Sequence, residues 1–179
     1  FAMVYTGQKV KLVPLDKDKH LNNSLIWLND PEITKWTLIG DFPITKLAEE
    51  EWFNKFMKSN NTDIVFAIET LEGEHIGFTG IHQINWRHKT AITGIIIGNK
   101  NYWGKGYGTD TVKVRTKYAF EILGLRLLLT EVFSENTASL KMLKKAGYKE
   151  VGYIPRKYWK RGKYRDIIIL AIEQTDLLL

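Results

Sequence analysis

The chain contains no cysteine. That excludes a disulfide framework, thiolate catalysis and cysteine-ligated zinc or iron–sulfur centres. Histidine is scarce: His20, His75, His82 and His88 are the full set, and no two have the spacing of a metal-binding helix motif. No apolar run approaches the ~18–20 residues of a membrane-spanning helix. The N-terminus lacks a secretory pattern, and Met3 reads as the natural start, with Phe1 and Ala2 as a cloning remnant. The expectation is a cytoplasmic protein with no metal and no membrane partner.

What is present fits one domain over 1–179, with 44% hydrophobic and 26% charged residues. The net charge of +6 is unevenly spread. Residues 1–99 carry 10 Lys/Arg against 12 Asp/Glu, whereas residues 100–165 carry 16 against 5. A basic third of this kind suits an anionic partner, either nucleic acid or a phosphate-bearing cofactor, or else a set of solvated lysines on helix faces.

Alternation predicts a first strand over Lys9–Pro14. Asp18 caps a helix to about Leu28, and Thr45 caps a second one to about Ser59 with Leu47, Trp52, Phe53, Phe56 and Met57 along one stripe. Residues 30–43 read as irregular. Strands follow at Ile64–Glu69, Ile76–Ile84 and Thr90–Gly98. The pattern then changes to a helix over Thr109–Leu123, an apolar strand over Leu125–Phe133, a helix from Asn136 to Ala146, and strands at Tyr148–Ile154 and Tyr164–Glu173. The sum is an α/β (α+β) fold: a mixed, mostly antiparallel sheet of about seven strands with about four helices.

The most informative stretch runs from Gly98 to Thr109, with Gly104, Gly106 and Gly108 at alternate positions. Glycines there let the backbone bend tightly, and the following helix offers free N–H groups and a positive dipole end. Together these make an anion cradle suited to a pyrophosphate, with Lys105 adding charge. The loop lacks the Lys-Ser/Thr of the ATPase type and the G-x-G-x-x-G of the dinucleotide type.

Four blocks in order carry a family resemblance. They are Leu28–Glu32, Gly94–Gly98 with Tyr102–Thr109, Asn136–Ser139 through Lys145–Tyr148, and Arg161–Asp166. The chain resembles the GNAT-fold N-acetyltransferases, specifically the RimJ/RimL-like branch of ribosomal-protein N-terminal acetyltransferases, over nearly its whole length. The resemblance implies an acetyl-CoA pocket between two central strands that splay apart. Backbone groups of Ile95, Ile96 and Ile97 would line the pantetheine arm. The loop Trp103, Gly104, Lys105, Gly106, Tyr107, Gly108 and Thr109 would hold the pyrophosphate, with Asn136 and Ser139 at the cofactor helix. Trp103 stands where the family often has Gln or Arg. Lys100, Lys105, Lys141, Lys144 and Lys145 are candidate phosphate cations.

Acetyl transfer needs an oxyanion donor, a proton or hydrogen bond for the leaving thiolate, and a neutral amine. The backbone N–H of Ile96 is the expected donor. Leu143 occupies the family's acid tyrosine position, which leaves Ser139, with Tyr148 and Tyr158 in reserve. Ile92 occupies the family's glutamate position, which leaves Glu131 or His82 as base. Without a dedicated base, an α-amine of pKa near ~8 is easier to acetylate than a lysine-like amine near ~10.4.

The leading reading is direct acetyl transfer in a ternary complex to a protein N-terminal α-amine, with ribosome association and a homodimer as companion expectations. A polyamine or other small amine is the alternative, and Glu49, Glu50 and Glu51 are its densest acidic run. A non-catalytic acetyl-CoA sensor and an RNA-binding module using Tyr102, Trp103, Tyr158 and Trp159 complete the set.

Overall fold

The computed structural model describes residues 5–58 and 60–177, so Met3 and Ser59 lie outside the described residues. The strands are β1 (Tyr5–Thr6), β2 (Val10–Pro14), β3 (Ile64–Thr70), β4 (His75–Asn85), β5 (Thr90–Ile97), β6 (Leu127–Phe133), β7 (Lys149–Lys160) and β8 (Lys163–Glu173). The helices are α1 (Lys17–Leu28), α2 (Pro31–Thr34), α3 (Lys46–Met57), α4 (Tyr107–Glu121), α5 (Thr137–Lys145) and α6 (Gln174–Leu177). All eight strands form one sheet in the order β1-β2-β3-β4-β5-β6-β8-β7. Only β5 and β6 are parallel among the paired strands.

The strand β1, two residues long, and the one-turn helices α2 and α6 exceed the expected count, because such short elements have no periodicity to read. Asp16, not Asp18, caps α1 by accepting from the Asp18 and Lys19 amides. The Thr45 cap on α3 is as expected, accepting from the Ala48 amide. The final hairpin runs on to Lys160 and Lys163 and turns through Gly162, whose φ of +91° favours glycine.

Two cores sandwich the sheet. On one face α4 and α5 cover Val10, Phe66, Ile68, Ile76, Leu128, Leu170 and Ile172. On the other, α1 and α3 bring Leu21, Trp27 and Phe53 onto Ala67 and Phe78. Alternation along β5 divides three consecutive isoleucines between them: Ile95 and Ile97 pack with the first core, Ile96 with the second. The two layers meet where β5 and β6 part.

Candidate active site

The fork between β5 and β6 follows from their register. They pair only over Thr90–Ile92 against Leu127–Leu129. Beyond that, the Thr130 hydroxyl donates to the Thr93 carbonyl at 3.0 Å, and side chains replace the ladder. The facing of each β5 peptide is fixed by its neighbours. Lys89 O accepts from the Arg126 amide, Thr93 O from Thr130, and Ile97 O from the Trp103 indole at 2.7 Å, so odd-numbered residues face β6. Gly98 N–H donates to Ile76 O at 2.8 Å, so even-numbered ones face β4. The Ile96 N–H therefore points into the β4 ladder and away from the fork. Ile96 N–H, the expected oxyanion donor, is thus turned to the neighbouring strand, and Ile95 N–H is the amide that opens on the gap. The Ile97 carbonyl is taken by Trp103, which leaves its N–H for a ligand.

At the fork's end a 3-10 turn over Lys100–Tyr102 leads into α4. Gly104 and Gly106 have φ of +69° and +87°, and Gly106 is the N-cap, so α4 begins at Tyr107, two residues earlier than expected. Among the described residues, the amides of Gly104–Thr109 donate to no protein acceptor. A Cβ on Gly108 would meet Met142 Sδ at 2.4 Å, so α4 and α5 approach closely there. Free amides, left-handed glycines and a helix start fit a diphosphate. Asp110, in the first turn, does not oppose it. Its carboxylate accepts from the amides of Gln8, Lys9 and Val10 and ties β2 to the loop. That contact brings in Lys9, which the sequence reading missed. Lys9 Cε lies 3.4 Å from where a Cβ on Gly106 would sit. Lys100, by contrast, is committed to Asp30 and Glu32 at 2.8 and 2.6 Å, and Lys144 to Glu150 at 2.7 Å.

A cavity of about 450 Å³ runs through the fork. Asn136, Ser139 and Leu143 from the α5 region line it, with Ile95 and Arg115, as do Trp36, Trp52, Phe78, His82, Glu131 and Tyr158. Asn136 caps α5 by accepting from the Ser139 amide at 3.2 Å. Among the described residues no hydrogen bond takes the Ser139 hydroxyl. Leu143 is buried and carries no proton. Tyr148 is buried too, with its hydroxyl between Arg115 and Thr93, so it is a packing residue here.

Glu131 and His82 differ in readiness. Burial pushes the Glu131 carboxyl up, but hydrogen bonds from Lys157 and Tyr158 outweigh it and hold the group below the usual range. A carboxylate so stabilised is a poor base. His82 Nδ1 lies 2.9 Å from Asp63 Oδ1. A carboxylate can only accept, so Nδ1 is the donor, and Nε2 is the nitrogen left over for a substrate proton. Nε2 sits 2.2 Å from where a Cβ on Gly80 would stand, so only glycine leaves the ring room. The acidic run does not reach this wall. Glu49 is buried and accepts from Ser24 at 2.6 Å, Glu50 lies 4.0 Å from Lys46, and none of the three lines the cavity.

Fold and site together define an acyl-CoA-dependent N-acyltransferase. A family profile, the acetyltransferase (GNAT) domain, matches residues 9–149, and the chain belongs to that family. It is an acetyl-CoA-dependent N-acetyltransferase. Spermidine N(1)-acetyltransferase of Vibrio cholerae is 28% identical over 129 residues, covering 72% of this chain and 73% of that one. Its counterpart from Escherichia coli K12 is 32% identical over 113 residues, covering 63% and 60%. The crystal structure of the Vibrio cholerae enzyme with CoA and spermine has a TM-score of 0.86 at 24% identity, covering 95% of this chain and 98% of that one. Among the described residues no helix is long and apolar enough to cross a membrane, and no group of three or more His, Asp or Glu is placed to hold a metal.

Proposed function

We propose that this enzyme acetylates a primary amine carrying few positive charges, a peptide or protein N-terminal α-amine before a polyamine. The observation that carries this reading is the cavity's charge inventory. Its one carboxylate is Glu131, already matched by Lys157, and the buried Arg115 guanidinium adds a positive charge. A polyamine brings three or four ammonium groups and would need carboxylates to receive them. Walls of Trp36, Trp52, Phe78 and Tyr158 suit an amine on an apolar or aromatic frame instead. A RimJ/RimL-like placement, a ribosomal N-terminus as acceptor, a cytoplasmic setting and a dimer belong to the same reading. The polyamine alternative rests on the spermidine acetyltransferases among the relatives.

In the assigned mechanism His82 Nε2 removes a proton from the acceptor ammonium, and Asp63 steadies the imidazolium that forms. The neutral nitrogen attacks the thioester carbon, so a C–N bond forms while the C–S bond breaks, and the second proton on that nitrogen passes to the departing sulfur to give CoA thiol and the neutral amide. Ile95 N–H receives the charge developing on the thioester oxygen. Ser139 Oγ donates a hydrogen bond to the departing thiolate. The loop amides of Gly104–Thr109, with Lys9 and Lys105, hold the diphosphate. No acyl-enzyme is required.

An amine panel followed by thiol release tests the acceptor. N-terminal peptides are expected to show kcat/KM at least tenfold above spermidine and spermine. Faster turnover of spermidine would overturn the reading and favour the polyamine alternative.

A further inference from the structure

Arg115 is 1% exposed, one of the largest fully buried side chains in the protein. Among the described residues no carboxylate lies within 4.0 Å of it. An unmatched buried cation is costly, so a protein that needed only packing here would be better served by an apolar residue. Its partners are neutral oxygens. Nη1 donates to the Gly94 carbonyl at 2.9 Å and to Thr79 Oγ1 at 3.1 Å, and Nη2 donates to Tyr148 Oη at 3.0 Å. Thr79 in turn donates to the same Gly94 carbonyl at 2.8 Å. Nε has no partner.

The Gly94 carbonyl and the Ile95 N–H belong to one peptide unit. They point in opposite directions, the oxygen toward β4 and Arg115, the hydrogen into the fork. A cation and a hydroxyl on the oxygen draw electron density from the amide nitrogen, making the N–H a stronger donor and fixing its direction. We propose that Arg115, assisted by Thr79, is a positioning residue that polarises the Gly94–Ile95 peptide toward the thioester oxygen. The positive charge thus reaches the reaction through the backbone, from a side chain that lies along the cavity wall yet is almost fully buried. This inference rests on the proposed role of the Ile95 amide.

The test uses Arg115→Met, Arg115→Lys and the milder Thr79→Val. Turnover is compared with CoA affinity. The infrared carbonyl stretch of bound acetyl-CoA, 13C-labelled at the thioester carbon, reports the strength of the donor directly. In the wild-type enzyme the stretch should move to lower frequency on binding. In Arg115→Met that displacement should shrink by half or more and kcat should fall ten- to a hundredfold, with the CoA Kd changed less than threefold. Arg115→Lys should recover part of both effects, and Thr79→Val should show a smaller loss of each while keeping the fold. A folded Thr79→Val or Arg115 variant with an undisturbed stretch would overturn the proposal, as would a kcat loss that only tracks the folded fraction. If wild-type protein shifts the stretch but Arg115 variants do too, the Ile95 assignment survives and the Arg115 role falls. If wild-type protein produces no displacement, both fall.

Discussion

The His82 ring reaches the start of the neighbouring strand at Asp63, Nδ1 to Oδ1 at 2.9 Å, and leaves its second nitrogen beside Gly80 on the cavity wall. Asp63 begins the run into β3, and His82 lies near the end of β4, just before the left-handed Gln83 where the β4–β5 register shifts. The Asp63 carboxyl feels burial pushing it up, but hydrogen bonds from Thr62, His82 and the Gln83 amide leave it below the usual range. It therefore stays ionised and available to the imidazole.

His82→Gln should lower kcat by about 10²–10³ at pH 7, because proton transfer by a placed base contributes on that scale. Glu131→Gln should lower it less than about tenfold. Steady-state rates of the two variants decide it, and the reverse ranking would transfer the base to Glu131.

Ser139→Ala should reduce kcat by about tenfold while leaving CoA affinity unchanged, since one hydrogen bond to a charged group is worth ~1.5 kcal/mol or more. Steady-state rates at saturating substrates, measured across pH, decide it. Unaltered turnover would remove the hydroxyl from the mechanism.

Gly106→Ala forces a Cβ into the left-handed region at a cost of ~1–2 kcal/mol. It should weaken CoA binding as the loop amides rotate. Gly162→Ala, with φ of +91° in the distant β7–β8 turn, should cost similar stability without changing CoA affinity. Titration calorimetry on both variants separates the two effects, and equal CoA affinity in both would dismiss the cradle.

Acid should destabilise the protein through His75. Burial, then the charge of nearby His20, push this imidazole down to about 3 against the pull of the Gly77 carbonyl. Asn23 and Gly77 hold both ring nitrogens in the neutral form. The unfolded chain takes up a proton near pH 6.5 while the folded one refuses it until about 3. His75's contribution to stability is therefore complete above ~6.5 and declines on acidification by about 1.4 kcal/mol per pH unit. Glu49, raised by burial against its Ser24 hydrogen bond, acts in the opposite sense. The specific readout is His75 by NMR: its ring signals should stay neutral from pH 7 to 5. Titration near 6.5 in the folded protein would refute this account.

Much of the frame was legible because it depends on local pattern. Thr45 and Asn136 are caps wherever they are read, and glycines at alternate positions before a helix leave few conformations open. The parts that were missed depend on pairing between distant segments. Choosing Ile95 over Ile96 requires knowing which neighbour each β5 peptide faces, and in a run of isoleucines the sequence carries no mark of it. Asp63 and His82 lie 19 positions apart on two strands, so no short motif joins them. Arg115 on a helix rich in Lys looks like one more solvated cation until α4 is laid against β5. Glu131 stood beside His82 as a candidate base because the Lys157 and Tyr158 that occupy it sit in a hairpin longer than its turn signals suggested.

The fork also sets a filter by thickness. An unpaired strand edge ordinarily invites another strand, with the aggregation that follows. Here that edge lies inside the sheet, closed at one end where the pairing stops at Ile92 and Leu129, with Leu143 and Phe133 in its lining. A second strand, with side chains on both faces, does not fit along that edge without displacing α4 and α5 on one side or α1 and α3 on the other. A thin amide-bearing chain without side branches does, so the same depth that shields the edge from other proteins reserves it for a ligand that is, in effect, a strand stripped to its backbone.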